Sequence, residues 1–247
     1  MNDDLGTPVP LAAPPRRVVS LVPSLTEAVA HTAPNLLVGA TDWCVEPAGL
    51  DVARVGGTRY PDLARVRAAA PDLVLANAEE NRREDVEALR AAGVPVWVTY
   101  PRTLDAALDS LERLMAALGP PEPPWLRAAR EAWSHPFTGV RRRAVIPVWR
   151  RPWIVLGADT FAGDLLARLG VDNVYAGAAE RYPRPPLAQL RAAGADLVVL
   201  PDEPYAFTAD DGPEAFPGLP HALVSGRHLT WYGPSLAEAR AVLEAVL

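Results

Sequence analysis

Lysine is absent: all 24 basic residues of this 247-residue chain are arginine. A P-loop needs a phosphate-reaching lysine and Schiff-base catalysis needs an amine, so neither chemistry is open to it. A single cysteine, Cys44, excludes an internal disulfide. No apolar run reaches the length of a membrane-spanning helix, so no membrane insertion is expected. The acidic start Met1-Asn2-Asp3-Asp4 and the proline-rich stretch Pro8 to Pro15 lack the basic head and apolar core of a secretory signal. The expectation is a cytoplasmic protein. The alternative is a periplasmic or lipid-anchored one whose leader is missing from the recorded sequence.

Catalytic signatures are equally scarce. His31, His135, His221 and His228 lie in unrelated settings, and none has an HExxH or paired CxxC spacing. There is no GxSxG elbow, and Val38-Gly39-Ala40 opens no dinucleotide fingerprint. A net charge of −6 argues against a nucleic-acid partner, which would need a basic surface. The sequence predicts no catalytic residue, no metal ligand set and no required cofactor. The enzyme alternative would rest on Asp202, Glu203 or Cys44.

What is present is an α/β pattern. Short apolar, β-branched runs alternate with helical periodicity, the mark of parallel strands joined by helical crossovers. Strands are predicted at 17–22, 36–41, 72–76, 94–99, 144–149, 153–157, 173–175, 196–200 and 222–225. Helices are predicted at 82–92, 104–118, 125–133, 160–169, 187–193 and 235–246. A further helix should open at Ser24-Leu25-Thr26-Glu27, where the spacing allows a capping box. From Thr103 to Arg143 no strand is expected, and Pro120-Pro121-Glu122-Pro123-Pro124 interrupts the helical pattern. The expected division is a disordered segment 1–15, an N-terminal lobe 16–119, a backbone-helix connector 120–140 and a C-terminal lobe 141–247.

An internal duplication supports two lobes. The eighteen residues from Leu63 align without gaps to those from Leu187, with nine identities. Just upstream, Arg59-Tyr60-Pro61 recurs as Arg181-Tyr182-Pro183. Convergence of alanine-rich units is the plainer explanation, but the paired Arg-Tyr-Pro elements argue against it. Two similar lobes imply a cleft with matching loops on either side.

Ligands of open parallel sheets sit beyond the carboxyl ends of the strands. Ten of the seventeen aromatic residues fall in such loops. The binding residues predicted there are Trp43, Tyr60, Trp153, Phe161, Tyr182, Tyr205, Phe207, Trp231 and Tyr232, with the polar groups Arg59, Asn77, Glu79, Arg102, Asp159 and Glu203. Rings with a few convergent polar groups suit a large, flat small-molecule ligand. Arg82, Arg83, Glu84 and Asp85 read as a solvated helix face. Cys44 beside Trp43 is either a soft axial ligand or a small buried residue.

Arg17-Val18-Val19-Ser20-Leu21-Val22-Pro23-Ser24-Leu25-Thr26-Glu27 resembles the opening of the class III periplasmic-type binding proteins, also called helical-backbone metal receptors. Val38-Gly39-Ala40-Thr41-Asp42, Val55-Gly56-Gly57, Pro71-Asp72-Leu73-Val74, Gly157-Ala158-Asp159-Thr160-Phe161 and Trp231-Tyr232-Gly233-Pro234 continue the likeness to the C-terminus. The pattern is nearest the cobalamin-binding branch. The resemblance implies a non-enzymatic protein that binds cobalamin or another metal chelate in the inter-lobe cleft, with Trp43 and Tyr182 at ring positions of the branch and Trp153 near a third. Asn77 falls where that pattern has tryptophan. Importer-linked members carry a docking glutamate on each lobe; here those positions are Ala64 and Ala188. Loss of both charges argues against docking to an importer permease.

Overall fold

The computed structural model describes residues 1–247, which form two compact units. Unit 1 comprises 1–101, 106–127 and 232–234; unit 2 comprises 102–105, 128–231 and 235–247. Unit 1 carries β1 (Val18–Ser20), α1 (Pro23–Thr32), β2 (Leu37–Ala40), β3 (Ala53–Arg54), α2 (Leu63–Ala68), β4 (Leu73–Asn77), α3 (Arg83–Ala91) and β5 (Val96–Thr99). Next in the chain come α4 (Leu104–Leu118) and α5 (Pro124–Ala132). Unit 2 carries β6 (Arg142–Val145), β7 (Pro147–Trp149), β8 (Ile154–Val155), α6 (Phe161–Arg168), β9 (Val171–Asn173), α7 (Leu187–Arg191) and β10 (Leu197–Pro201). It ends with β11 (His221–Val224), α8 (Gly226–Thr230) and α9 (Leu236–Glu244). No helix is long and apolar enough to cross a membrane.

Each unit is built on a parallel sheet. The order is β3-β2-β1-β4-β5 in unit 1 and β11-β10-β6-β9 in unit 2, with every pairing parallel. Strands covered on both faces are nearly all apolar, and β4 (LVLAN) and β10 (LVVLP) are buried at all five positions. Val19, Val74, Ala76, Val86, Leu89 and Val98 pack one core; Val145, Leu190, Val198, Leu200 and Phe216 pack the other.

The duplication is structural as well as sequential. Val18 and Val19 pair with Leu73 and Val74, while Ala144 and Val145 pair with Leu197 and Val198. The Asp72 carboxylate accepts from the Arg17 N–H at 2.9 Å, and Asp196 accepts from the Arg143 N–H at the same distance. With β6, β9, β10 and β11 matched to β1, β2, β4 and β5, the two sheets have one strand order. Within these two parallel sheets only β3 lacks a partner. Each Arg-Tyr-Pro element is tied by its backbone to a glycine segment of its own unit. Pro61 bridges Gly56, and the Arg181 carbonyl accepts from the Gly157 N–H at 2.7 Å. There Gly157 is needed because an added Cβ would lie 2.1 Å from the Glu180 carbonyl oxygen.

Several local expectations are corrected. The capping box at Ser24 and Glu27 does not form: α1 begins at Pro23 behind Val22, without a side-chain cap. Proline in the first turn already fixes the backbone for helix entry, so Ser24 falls inside the helix, where its buried hydroxyl has no partner. The strand expected at 144–149 is split. Pro147 has no N–H for a ladder, and the chain leaves the sheet there to form the antiparallel β7–β8 hairpin. The two-residue β3 and the short helix α8 were not anticipated.

The segment 1–15, expected to be disordered, is instead wired into unit 1. Asp3 is 3% exposed, pairs with Arg90 at 2.7 Å, and accepts from the Thr7 N–H at 2.8 Å. The Asp4 N–H donates to the Val98 carbonyl on the edge strand β5, at 3.0 Å. Its carboxylate accepts from the Tyr100 N–H at 2.7 Å, the Ser110 hydroxyl at 2.8 Å and Arg113 at 2.5 Å. A free sheet edge is a liability, and this strap covers it.

Candidate functional site

In unit 1 the loops after β2, β3, β4 and β5 lie at the carboxyl edge of the sheet. Trp43, after β2, is 69% exposed, and Tyr60, after β3, is 67% exposed. The two loops are tied together: the Asp42 N–H donates to the Gly56 carbonyl at 2.8 Å, and Arg54 donates to the Thr41 and Cys44 carbonyls at 2.9 Å each. Arg59 is exposed beside Tyr60. The Arg82 guanidinium lies 4.7 Å from the centre of the Tyr60 ring, while also holding the buried Asp85 carboxylate at 2.8 Å. Arg82 and Asp85 are therefore not a free solvated face; they brace a ring at the carboxyl edge.

Asn77 and Tyr232 turn inward, against expectation. The Asn77 side-chain amide donates to the Tyr232 phenol oxygen at 2.6 Å, while its carbonyl oxygen accepts from the N–H groups of Glu79 and Glu80 at 2.7 and 3.2 Å. Asn77 is 4% and Tyr232 5% exposed, so both are structural. Burial pushes the Tyr232 phenol well above its ordinary range, with the Glu80 charge adding to the shift and the Thr99 and Asn77 hydrogen bonds opposing it. Glu79 is half-buried at the end of the same turn.

Cys44 is fully buried, its sulfur 3.0 Å from the Thr26 hydroxyl and 3.1 Å from the Thr41 hydroxyl. Burial raises its thiol above the usual value, the threonine hydrogen bonds opposing. Of the two readings, the small buried residue is the one observed.

In unit 2 the rings behave differently. Phe161, the first residue of α6, is 7% exposed, and Phe207 is 3% exposed. Both are buried, where an outward binding ring was expected. Trp153 stacks on Phe207 with centroids 6.0 Å apart and meets Phe216 edge-on at 5.4 Å, so it is half-buried in a cluster. Tyr205 is half-buried on the same cluster, 4.6 Å from Phe207. Tyr182 stays outward at 39% exposure, 5.8 Å from the Arg181 guanidinium. Trp231 is half-buried, with Arg227 5.9 Å from its ring. One ring escaped the sequence reading: Trp149, placed there in a strand, is 42% exposed at the end of β7.

The polar candidates of unit 2 form two groups. Arg102 and Asp159 pair at 2.5 Å, and the Asp159 carbonyl accepts from Arg181 at 2.8 Å. They border a recess of about 280 Å³ shared with Thr160, Asp164 and Asn173. Glu203 lies apart, at the end of β10. Desolvation raises its carboxyl above the usual range, the Asp202 charge adds, and Arg227 opposes. Asp202 points elsewhere, accepting from the Gly226 N–H at 2.6 Å. The chain holds no cluster of three or more His, Cys, Asp or Glu side chains arranged for a metal ion.

Two units of one strand order define the fold, and the comparisons agree with it. The chain has the class III binding-protein fold. It superimposes on the periplasmic vitamin B12 binding protein BtuF of Vibrio cholerae with a TM-score of 0.75 at 17% identity, covering 94% of this chain and 96% of that one. A periplasmic heme-binding protein from Pseudomonas aeruginosa gives 0.74 at 24% identity, covering 94% and 92%. In sequence, the chain is 24% identical over 200 residues to the vitamin B12-binding protein of Photorhabdus laumondii, matching 77% of this chain and 72% of that one. No protein-family model matches.

Proposed function

We propose that this chain is a non-enzymatic binding protein for a large ring or metal-chelate ligand, cobalamin or a related corrinoid first among them. The observation that carries the reading is the exposure of Trp43 and Tyr60 on two loops bonded to each other. Covering such rings contributes about 1.5–3 kcal/mol each, and their flat faces match a conjugated macrocycle. Tyr182 and Trp231 offer ring surface at the corresponding edge of unit 2. Arg59, Glu79, Arg102, Asp159, Glu203, Trp153 and Tyr205 are the further contacts we assign. Relatives named as vitamin B12-binding and solved neighbours titled heme-binding support the ligand class.

The role we propose is storage, trafficking or sensing inside the cell rather than delivery to an importer. Ala64 on α2 and Ala188 on α7 are both exposed, at positions where the resemblance implies charged docking contacts. Apolar methyl groups there offer a permease nothing to pair with. The periplasmic titles of the solved neighbours favour the other reading, an exported receptor. Subcellular fractionation of the native host separates the two.

The ligand is tested by titrating purified protein with cyanocobalamin, haemin and a ferric catecholate, following ligand absorbance and thermal shift. Saturable binding of cyanocobalamin with a change in the corrin bands is the expected result. No binding of any of the three at high micromolar concentration would overturn the proposal.

A further inference from the structure

The β7–β8 hairpin has no counterpart in unit 1. By the strand pairing that matches Val18 and Val19 to Ala144 and Val145, Trp149 falls where unit 1 has Pro23, the first residue of α1. Unit 1 enters its helix at that point, whereas unit 2 runs through a hairpin before reaching α6. The first strand of the hairpin ends in Trp149; Pro147 and Val148 before it are buried while its own ring is 42% exposed.

That ring is held. The Tyr205 ring meets it edge-on, with centroids 5.6 Å apart and planes at 78°. Tyr205 is itself fixed at both ends: its ring rests 4.6 Å from Phe207, and its hydroxyl donates to the Asp211 carboxylate at 2.6 Å. Asp211 also pairs with Arg150, the residue after Trp149. Arg150 binds Glu214 at 2.5 Å and lies 5.2 Å from the Trp153 ring. Thus hydrogen bonds, ion pairs and ring contacts immobilise the base of the hairpin and leave one indole in solvent. Conformational freedom of that indole has already been surrendered in the absence of any ligand, which is how a contact residue is pre-organised.

We propose that Trp149 is a ligand-contact ring of unit 2 and that Asp211 positions it through Tyr205. The partner it fits is the flat, conjugated face of a macrocyclic chelate, and this inference rests on the function proposed above. Edge-on support by Tyr205 occupies one side of the indole and leaves the rest of its π surface for stacking.

The test compares Trp149→Ala, Trp149→Phe and Asp211→Asn with the unsubstituted chain, using the ligand among cyanocobalamin, haemin and ferric catecholate that binds best. Trp149→Ala should weaken binding about 10-fold and remove part of the ligand-induced quenching of tryptophan fluorescence, with only a small loss of thermal stability. Phenylalanine should restore most of the affinity. Asp211→Asn should weaken binding by a smaller factor and alter the near-ultraviolet dichroism of the ring cluster. Undiminished binding in Trp149→Ala, with Trp43→Ala impaired, would overturn this inference alone. Failure of the unsubstituted chain to bind any of the three would overturn both proposals.

Discussion

The Tyr232 phenol receives the Asn77 side-chain amide at 2.6 Å, and lies 2.8 Å from the Thr99 hydroxyl. Because Thr99 donates to the Ala76 carbonyl at 3.1 Å, its oxygen is left to accept from Tyr232. Tyr232 thus closes a buried polar network at the ends of β4 and β5. Tyr232→Phe would take away the 2.6 Å acceptor of the Asn77 amide, leaving it only a 3.5 Å contact with the Thr99 hydroxyl, at a cost of about 1–3 kcal/mol. Urea denaturation should show that loss at neutral pH.

The same phenol makes an alkaline prediction. Its folded value is raised by burial, so its contribution to stability is fully present below the unfolded phenol value of about 10 and is lost as pH rises beyond it. Absorbance at the phenolate band should show one tyrosine that ionises only with unfolding, and Tyr232→Phe should remove that class. A Tyr232 that titrates while the chain stays folded would contradict the burial argument.

Trp43→Ala and Tyr182→Ala should each weaken ligand binding by about 1–3 kcal/mol. Both rings are exposed, at 69% and 39%, so thermal stability should change little. If either substitution unfolds the protein, that ring is structural and its binding role is wrong. Asn77→Ala, by contrast, should act on stability.

Asp4→Ala should loosen the N-terminal strap. It removes a mostly buried carboxylate that collects the Tyr100 N–H, Ser110 and Arg113, and stranding those donors costs about 2–4 kcal/mol. Hydrogen exchange should rise in residues 1–9 and at the amide of Tyr100, with unit 2 unaffected. A local rise confined to the strap is the expected pattern; unchanged exchange would show that the strap does not depend on Asp4.

Glu203 carries an acid-side prediction. Desolvation raises its carboxyl above the ordinary value, so protonation is favoured in the folded chain. Its stabilising contribution is complete below the unfolded carboxyl value and disappears as pH rises through the folded one. Glu203→Gln should therefore raise the melting temperature more at about pH 8 than at about pH 4, read by thermal scans at both. An equal shift at both values would count against it.

Much of the fold was legible because parallel strands covered on both faces read as near-continuous apolar runs, as in 73–76 and 197–200. The repeat was legible for the same reason, with Asp72 and Asp196 marking equivalent strand starts. The site was read less well. Position after a strand predicts that a residue lies at the carboxyl edge, but not whether its side chain faces solvent or core. Trp43 and Phe207 both follow strands; one points out and the other stacks under Trp153. The strap escaped notice because Asp3 and Asp4 find their partners 87 and 109 residues away, at Arg90 and Arg113, beyond any local periodicity.

The sealed sulfur of Cys44 offers a practical dividend. It is the sole thiol of the chain, lies wholly in unit 1, and is shut in by Thr26 and Thr41. A maleimide or disulfide reagent can reach it only when that half of the molecule breathes open. Labelling kinetics would therefore report on one half while remaining blind to the other, and the opening energy of unit 1 could be measured by itself.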